Sequence, residues 1–251
     1  MLETAWSITI AALKRGAVWS TIIWTFALIL ALGLVVLLVG LQPLWYSLVH
    51  PSLGGAATSV AVLRGALLVG LLALAAGPFW MAGGYGVLAS AVREQALTRD
   101  SFWTFAVQNY GRAWGLIGYG IFYVIALIVV GTILVSTLKA VGVVALVAAA
   151  VLSLPWVVRM AGGLFVARQS WGASFARSFH GPHYGGLLGG IVLGYAALAL
   201  TGLILLNLND ALAMLGDLAA SVAFPVWLFA LYAAEQSPPL QSPGASVEPH
   251  D

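Results

Sequence analysis

Six stretches of this chain, residues 17–41, 65–89, 113–138, 141–167, 184–206 and 211–234, are nearly unbroken runs of Leu, Val, Ile, Ala and Gly. Each exceeds the ~20 apolar residues that a helix needs to cross the hydrocarbon core of a bilayer. Barrel strands would instead be about 9–11 residues of alternating polarity, and nothing in these runs alternates. A water-facing surface could not be built from the remainder. The chain is 62% hydrophobic and 7% charged, whereas a soluble domain carries about 25% charged residues. The expected fold is therefore all-α, a polytopic membrane protein with a six-span helical bundle.

The connections refine this picture. Only Lys139 and Ala140 separate the third and fourth runs, which predicts a tight helical hairpin. Asn207, Leu208, Asn209 and Asp210 form a similar short turn before the last run. The first run is too long for a signal-peptide core and follows a short polar-apolar helix, so it reads as a span. The absence of Cys excludes disulfides, thiolate metal sites and a Cys nucleophile.

Basic residues set the orientation. The net charge is +2, but ten basic residues spread along a membrane chain make no patch for nucleic acid, and no nucleic-acid partner is expected. Lys14, Arg15, Arg93, Arg99, Arg112, Arg168 and Arg177 fall on one side, against Arg64 and Lys139 on the other. By the positive-inside bias both termini are expected in the cytoplasm of a bacterial inner membrane. Residues 1–236 form the membrane domain in this reading. Residues 237–251, rich in Pro, Ser and Gly, read as a disordered cytoplasmic tail.

The chain also repeats itself. Residues 2–17 align without a gap on residues 99–114: Glu3 meets Asp100, Trp6 meets Trp103, Ser7 meets Thr104 and Arg15 meets Arg112. In the first copy Trp6, Ile10, Leu13 and Ala17 share one helical face, as Trp103, Val107, Tyr110 and Trp114 do in the second. Glu3, Ser7 and Lys14, and in the second copy Asp100, Thr104, Gln108 and Arg112, take the opposite face. An amphipathic helix of this kind is expected in the membrane interface, aromatic side down, with Trp6 and Trp103 as anchors. A weaker third copy starts near Trp171, with Phe175 and Phe179 in the aromatic positions, and Pro182 ends it.

The even-numbered spans follow suit, each with one proline: Pro78, Pro155 and Pro225. The unit is an interfacial helix, a span in, and a span out with a proline. It occurs three times in parallel, at about 1–95, 98–168 and 170–236. The first unit is longer, with an outer loop expected at about 42–59.

At these residues the sequence resembles the membrane domain of bacterial glycerophosphoryl diester phosphodiesterases and the related YciC-like inner-membrane proteins. The likeness rests on Ser101-Phe102-Trp103-Thr104-Phe105, on Pro155-Trp156-Val157-Val158-Arg159, and on Ala173-Ser174-Phe175-Ala176-Arg177-Ser178-Phe179, and extends over most of 6–232. The resemblance implies six spans. It implies no catalysis, because in the fused enzymes the catalytic part is a separate soluble barrel that this chain lacks.

Candidate chemistry is sparse. Zinc-protease, P-loop and nucleophile-elbow patterns are missing. His180 and His183 are close, but Pro182 intervenes and no carboxylate is near in sequence, so no metal site or cofactor is expected. Arg159 lies inside the fourth span. A guanidinium there either faces the bundle interior or snorkels to the interface, and a lipid headgroup, water or backbone carbonyls are its expected partners. Arg159, Arg112 and Arg177 are the candidate contacts for a lipid or substrate. Pro78, Pro155 and Pro225 are expected as kinks, serving as scaffold or as a gating hinge. Gly186, Gly190 and Gly194 make a close-packing stripe on the fifth span, expected to pack within the bundle.

Three functions are compatible with this chain. The first is a non-enzymatic envelope protein, lipid-associated or scaffolding, with membrane lipids as partners. The second is a transporter or ABC-type permease subunit working with a separate ATPase or partner membrane protein, with residues 93–112 as the coupling segment. The third is a membrane-embedded lipid enzyme, disfavoured by the scarcity of polar residues inside the spans.

Overall fold

In a computed structural model that describes residues 1–49, 54–98 and 100–236, the described chain is helical, with nine helices and no strands. These are α1 (Leu2–Leu13), α2 (Gly16–Val49), α3 (Gly54–Val92), α4 (Ser101–Gln108), α5 (Tyr110–Leu138), α6 (Ala140–Phe165), α7 (Trp171–Ser178), α8 (Tyr184–Leu208) and α9 (Asp210–Gln236). The six long ones are apolar and long enough to cross a membrane, so the chain is a multi-pass, all-α membrane protein.

Each long pair is an antiparallel hairpin, and the turns follow the sequence closely. Lys139 alone joins α5 to α6, at φ 52°. Gly142 then lets the first turn of α6 lie against the Leu134 backbone, where a Cβ would overlap. Asn209 alone joins α8 to α9, capping with its carboxamide oxygen on the Ala211 amide at 2.7 Å.

Packing follows one order through the chain. Each short helix sits on the long helix that closes the preceding hairpin: α4 on α3, α7 on α6, and α1 on α9, which closes the ring. The long helix that opens the next hairpin follows the same neighbour, α5 on α3, α8 on α6 and α2 on α9. The second, fourth and sixth long helices, α3, α6 and α9, meet one another at the centre. Tyr85, Phe165 and Phe229, one from each, form a ring cluster with centroids 5.5, 5.6 and 6.4 Å apart.

The core is confined to the end of the bundle that carries the short helices. Buried side chains gather in the C-terminal parts of α3, α6 and α9, such as Leu88, Met160, Leu164, Val226 and Leu231. Toward the other end, Leu67, Leu71, Ile121, Ile128, Leu200 and Leu203 are exposed. Exposed apolar side chains in this number are what a hydrocarbon solvent requires, since lipid exerts no hydrophobic force to bury them.

Two expectations need correction. The loop expected at 42–59 is largely helix, because α2 runs to Val49 and α3 starts at Gly54. These helices are 34 and 39 residues long, against 25–29 for the other four. Once a helix is nucleated each further residue adds a hydrogen bond, so the isolated polar positions in this segment do not end it. The aromatic stripe, expected on one helix per copy, is also divided. Trp103 and Val107 lie in α4 while Tyr110 and Trp114 lie in α5, and α1 similarly ends before Ala17. Asn109, at φ −104° and ψ 7°, makes the break and redirects the chain into the span. Residues 237–251, read as a tail, lie outside the described residues, as does Arg99.

Candidate functional site

Arg159 lies in α6 one turn beyond Pro155 and less than two turns before the helix ends at Phe165. Its guanidinium meets the carboxylate of Glu235, near the end of α9. Arg159 Nε donates to Oε2 at 3.1 Å and to Oε1 at 3.2 Å, and Nη2 also donates to Oε1. Both side chains are buried, 3% and 0% exposed. Tyr184, opening α8, places its ring 5.6 Å from the Arg159 Cζ. Gly181 lies so close that a Cβ would overlap the guanidinium. Three helices and one connection therefore enclose the pair.

A guanidinium alone in hydrocarbon costs about 2.5–3.5 kcal/mol on insertion scales. Glu235 offsets that cost by pairing the charge and supplies the multiple hydrogen bonds that make a buried pair tolerable. The partners expected from sequence were a headgroup, water or carbonyls. The carboxylate was missed because it lies 76 positions away, at the point where the polar tail seemed to begin. A lone carboxylate ending an apolar span was the available signal.

The other singled-out residues are dispersed. Trp6 is 60% exposed and stands edge-on to Trp227, with centroids 6.3 Å apart. Trp103 is 45% exposed and packs against Trp24 and Phe79. Phe175 is half-buried between Trp171, Phe179, Tyr119 and Phe122. Arg177 is exposed in the last turn of α7, where a cation complements the helix dipole. Pro78, Pro155 and Pro225 all lie inside continuous helices. His180 contacts the Ala176 carbonyl through Nδ1 at 3.2 Å. The glycine stripe packs inside the chain, as expected. A Cβ on Gly190 would lie 2.6 Å from Leu231 and one on Gly194 2.5 Å from Trp227. Trp227 Nε1 also donates to the Gly190 carbonyl at 2.9 Å.

Arg112 belongs to a second ionic feature that residue-by-residue reading did not assemble. Gln95, just past α3, accepts from three arginines. Its backbone carbonyl takes Arg15 Nη1 at 2.8 Å, and its side-chain oxygen takes Arg93 Nη2 at 2.8 Å and Arg168 Nη2 at 3.4 Å. Arg112, near the start of α5, is held by Asn109 Oδ1 through Nη1. Partial burial and the charges of Arg168 and Arg112 push the Arg93 guanidinium below its usual pKa. Glu94, two residues past the end of α3, and Arg168, three residues past the end of α6, adopt left-handed conformations, φ 58° and φ 53°.

Three grooves on the surface are lined almost wholly by apolar side chains. One lies along α5 and α6 around Gly131 and Leu146, one is bounded by Tyr123, Trp156 and Tyr184, and one by Trp6, Leu13, Leu198 and Trp227. Comparison with protein-family models, with curated proteins and with solved structures finds no match to this chain.

Proposed function

We propose that this protein is a non-enzymatic component of the bacterial inner membrane that associates with lipids at the cytoplasmic leaflet, with both termini in the cytoplasm. One observation carries the reading. The three short helices pack at the same end of the bundle as Arg15, Arg93, Arg112, Arg168 and Arg177 and expose large aromatic side chains there, Trp6 at 60%, Trp103 at 45% and Trp171 at 47%. Indoles beside arginines suit the boundary between headgroups and acyl chains.

A permease subunit would need polar groups along a path. Here the two buried charges within the described spans, Arg159 and Glu235, neutralise each other, and the three grooves are apolar. The test is purification of the full chain in mild detergent, followed by quantification of retained phospholipid. The expected result is anionic phospholipid retained by the native chain and depleted in a Trp6→Ala, Trp103→Ala, Trp171→Ala triple variant that still folds. Co-purification of an ATPase, with the same lipid content in both proteins, would overturn the proposal in favour of the permease.

A further inference from the structure

We infer that Arg15, Arg93 and Arg168, gathered around Gln95, together with Arg112, held by Asn109, form a binding site for a phosphate group. The four arginines come from different places in the fold: the link between α1 and α2, the end of α3, the start of α5 and the segment after α6. Three of them are drawn together by hydrogen bonds to one neutral residue. A carboxamide can orient guanidiniums but cannot neutralise them. Among the described residues the one ion pair is Arg159–Glu235, so no carboxylate lies within 4.0 Å of any of the four. Glu94, adjacent in sequence, is exposed and makes no such pair.

Like charges held together without a counterion oppose folding, and a bound anion removes that opposition. Hydrogen-bonding capacity remains for one, since Arg93 Nε is buried and without a partner. The site is also open, because Gln95 and Arg168 are exposed and Arg15, Arg93 and Arg112 are half-buried. Three guanidiniums gathered on one residue suit a phosphate better than a carboxylate, since a phosphate offers three or more acceptor oxygens and up to two negative charges. The group could arrive on a phosphomonoester lipid headgroup or as free phosphate. The first source rests on the lipid-associated reading above, and the second does not.

The experiment measures binding of three probes to the detergent-solubilised full chain: short-chain phosphatidic acid, inorganic phosphate and short-chain phosphatidylcholine. The variants are Arg93→Gln, Arg168→Gln and Gln95→Glu, with Lys139→Gln at the opposite end as a control. Each arginine variant is expected to weaken phosphatidic acid binding about tenfold or more, the value of one hydrogen bond between charged groups. Gln95→Glu places a carboxylate among the guanidiniums. It is expected to abolish binding while raising the unfolding temperature, which separates loss of the site from loss of the fold. If inorganic phosphate binds as tightly as phosphatidic acid and the variants lose both, the site stands and the lipid-associated reading loses its support. If phosphatidic acid binds the native chain and every variant equally, the lipid reading stands and the site is overturned. Binding of neither charged probe overturns the site as well.

Discussion

Arg159 and Glu235 share hydrogen bonds in the interior of the bundle and tie α6 to α9 near their C-terminal ends. Neither side chain reaches the surface, so each depends on the other for its charge. Removing one partner leaves an uncompensated buried ion, which costs about 3–5 kcal/mol, whereas replacing both with apolar groups costs far less. Thermal unfolding in detergent should show Arg159→Leu and Glu235→Gln each strongly destabilised. The double variant Arg159→Leu, Glu235→Leu should recover most of the loss. Additive losses would mean that the pair does not act as a unit.

Gly181 and the guanidinium of Arg159 leave no room for a methyl group between them. Gly181→Ala should therefore displace the arginine and lower stability by about 1–3 kcal/mol, the usual cost of overpacking. In the Arg159→Leu, Glu235→Leu background, where the long planar head is gone, the same substitution should cost much less. An equal cost in both backgrounds would place the constraint elsewhere.

The stripe on α8 predicts a contrast between neighbouring glycines. Gly190→Ala and Gly194→Ala press on Leu231 and Trp227 and should each lower stability by about 1–3 kcal/mol. Gly189→Ala and Gly202→Ala, with nothing within 4 Å of the added Cβ, should be nearly neutral. Apparent melting temperatures of the four purified variants check this. Sensitivity at Gly189 and Gly202 would place an unseen partner on the other face of α8.

At the centre, Phe229 contacts both Tyr85 and Phe165. Phe229→Ala should destabilise by about 3 kcal/mol through the cavity it leaves. Phe229→Leu should cost less, because it preserves most of the volume. Unfolding curves that ranked the two variants the other way would contradict a packed aromatic centre.

The proposed topology can be read by labelling, because the chain has no native Cys. A membrane-impermeant thiol reagent added to intact spheroplasts should label Lys139→Cys, on the turn between α5 and α6. It should leave Ser170→Cys, beside α7, unlabelled until the membrane is opened. The reverse pattern would invert the orientation.

Much of this architecture is a local property of the chain. Six spans and their tight turns follow from run length and from where Lys139 and Asn207 to Asp210 interrupt it, because transfer into hydrocarbon is decided segment by segment. The amphipathic segments around Trp6, Trp103 and Phe175 could be placed from helical spacing for the same reason. The extent of α2 and α3 was misjudged, since weakly polar residues neither require nor forbid a helix and cooperative hydrogen bonding decided the matter. Pairing is a property of a different kind. Which carboxylate answers Arg159, and which arginines gather on Gln95, depends on the order in which helices pack and on their register. That order brings α1 onto α9 and residues 95 and 168 into contact. Contacts across such separations are set by the shape of the whole bundle, so only the tertiary structure decided them.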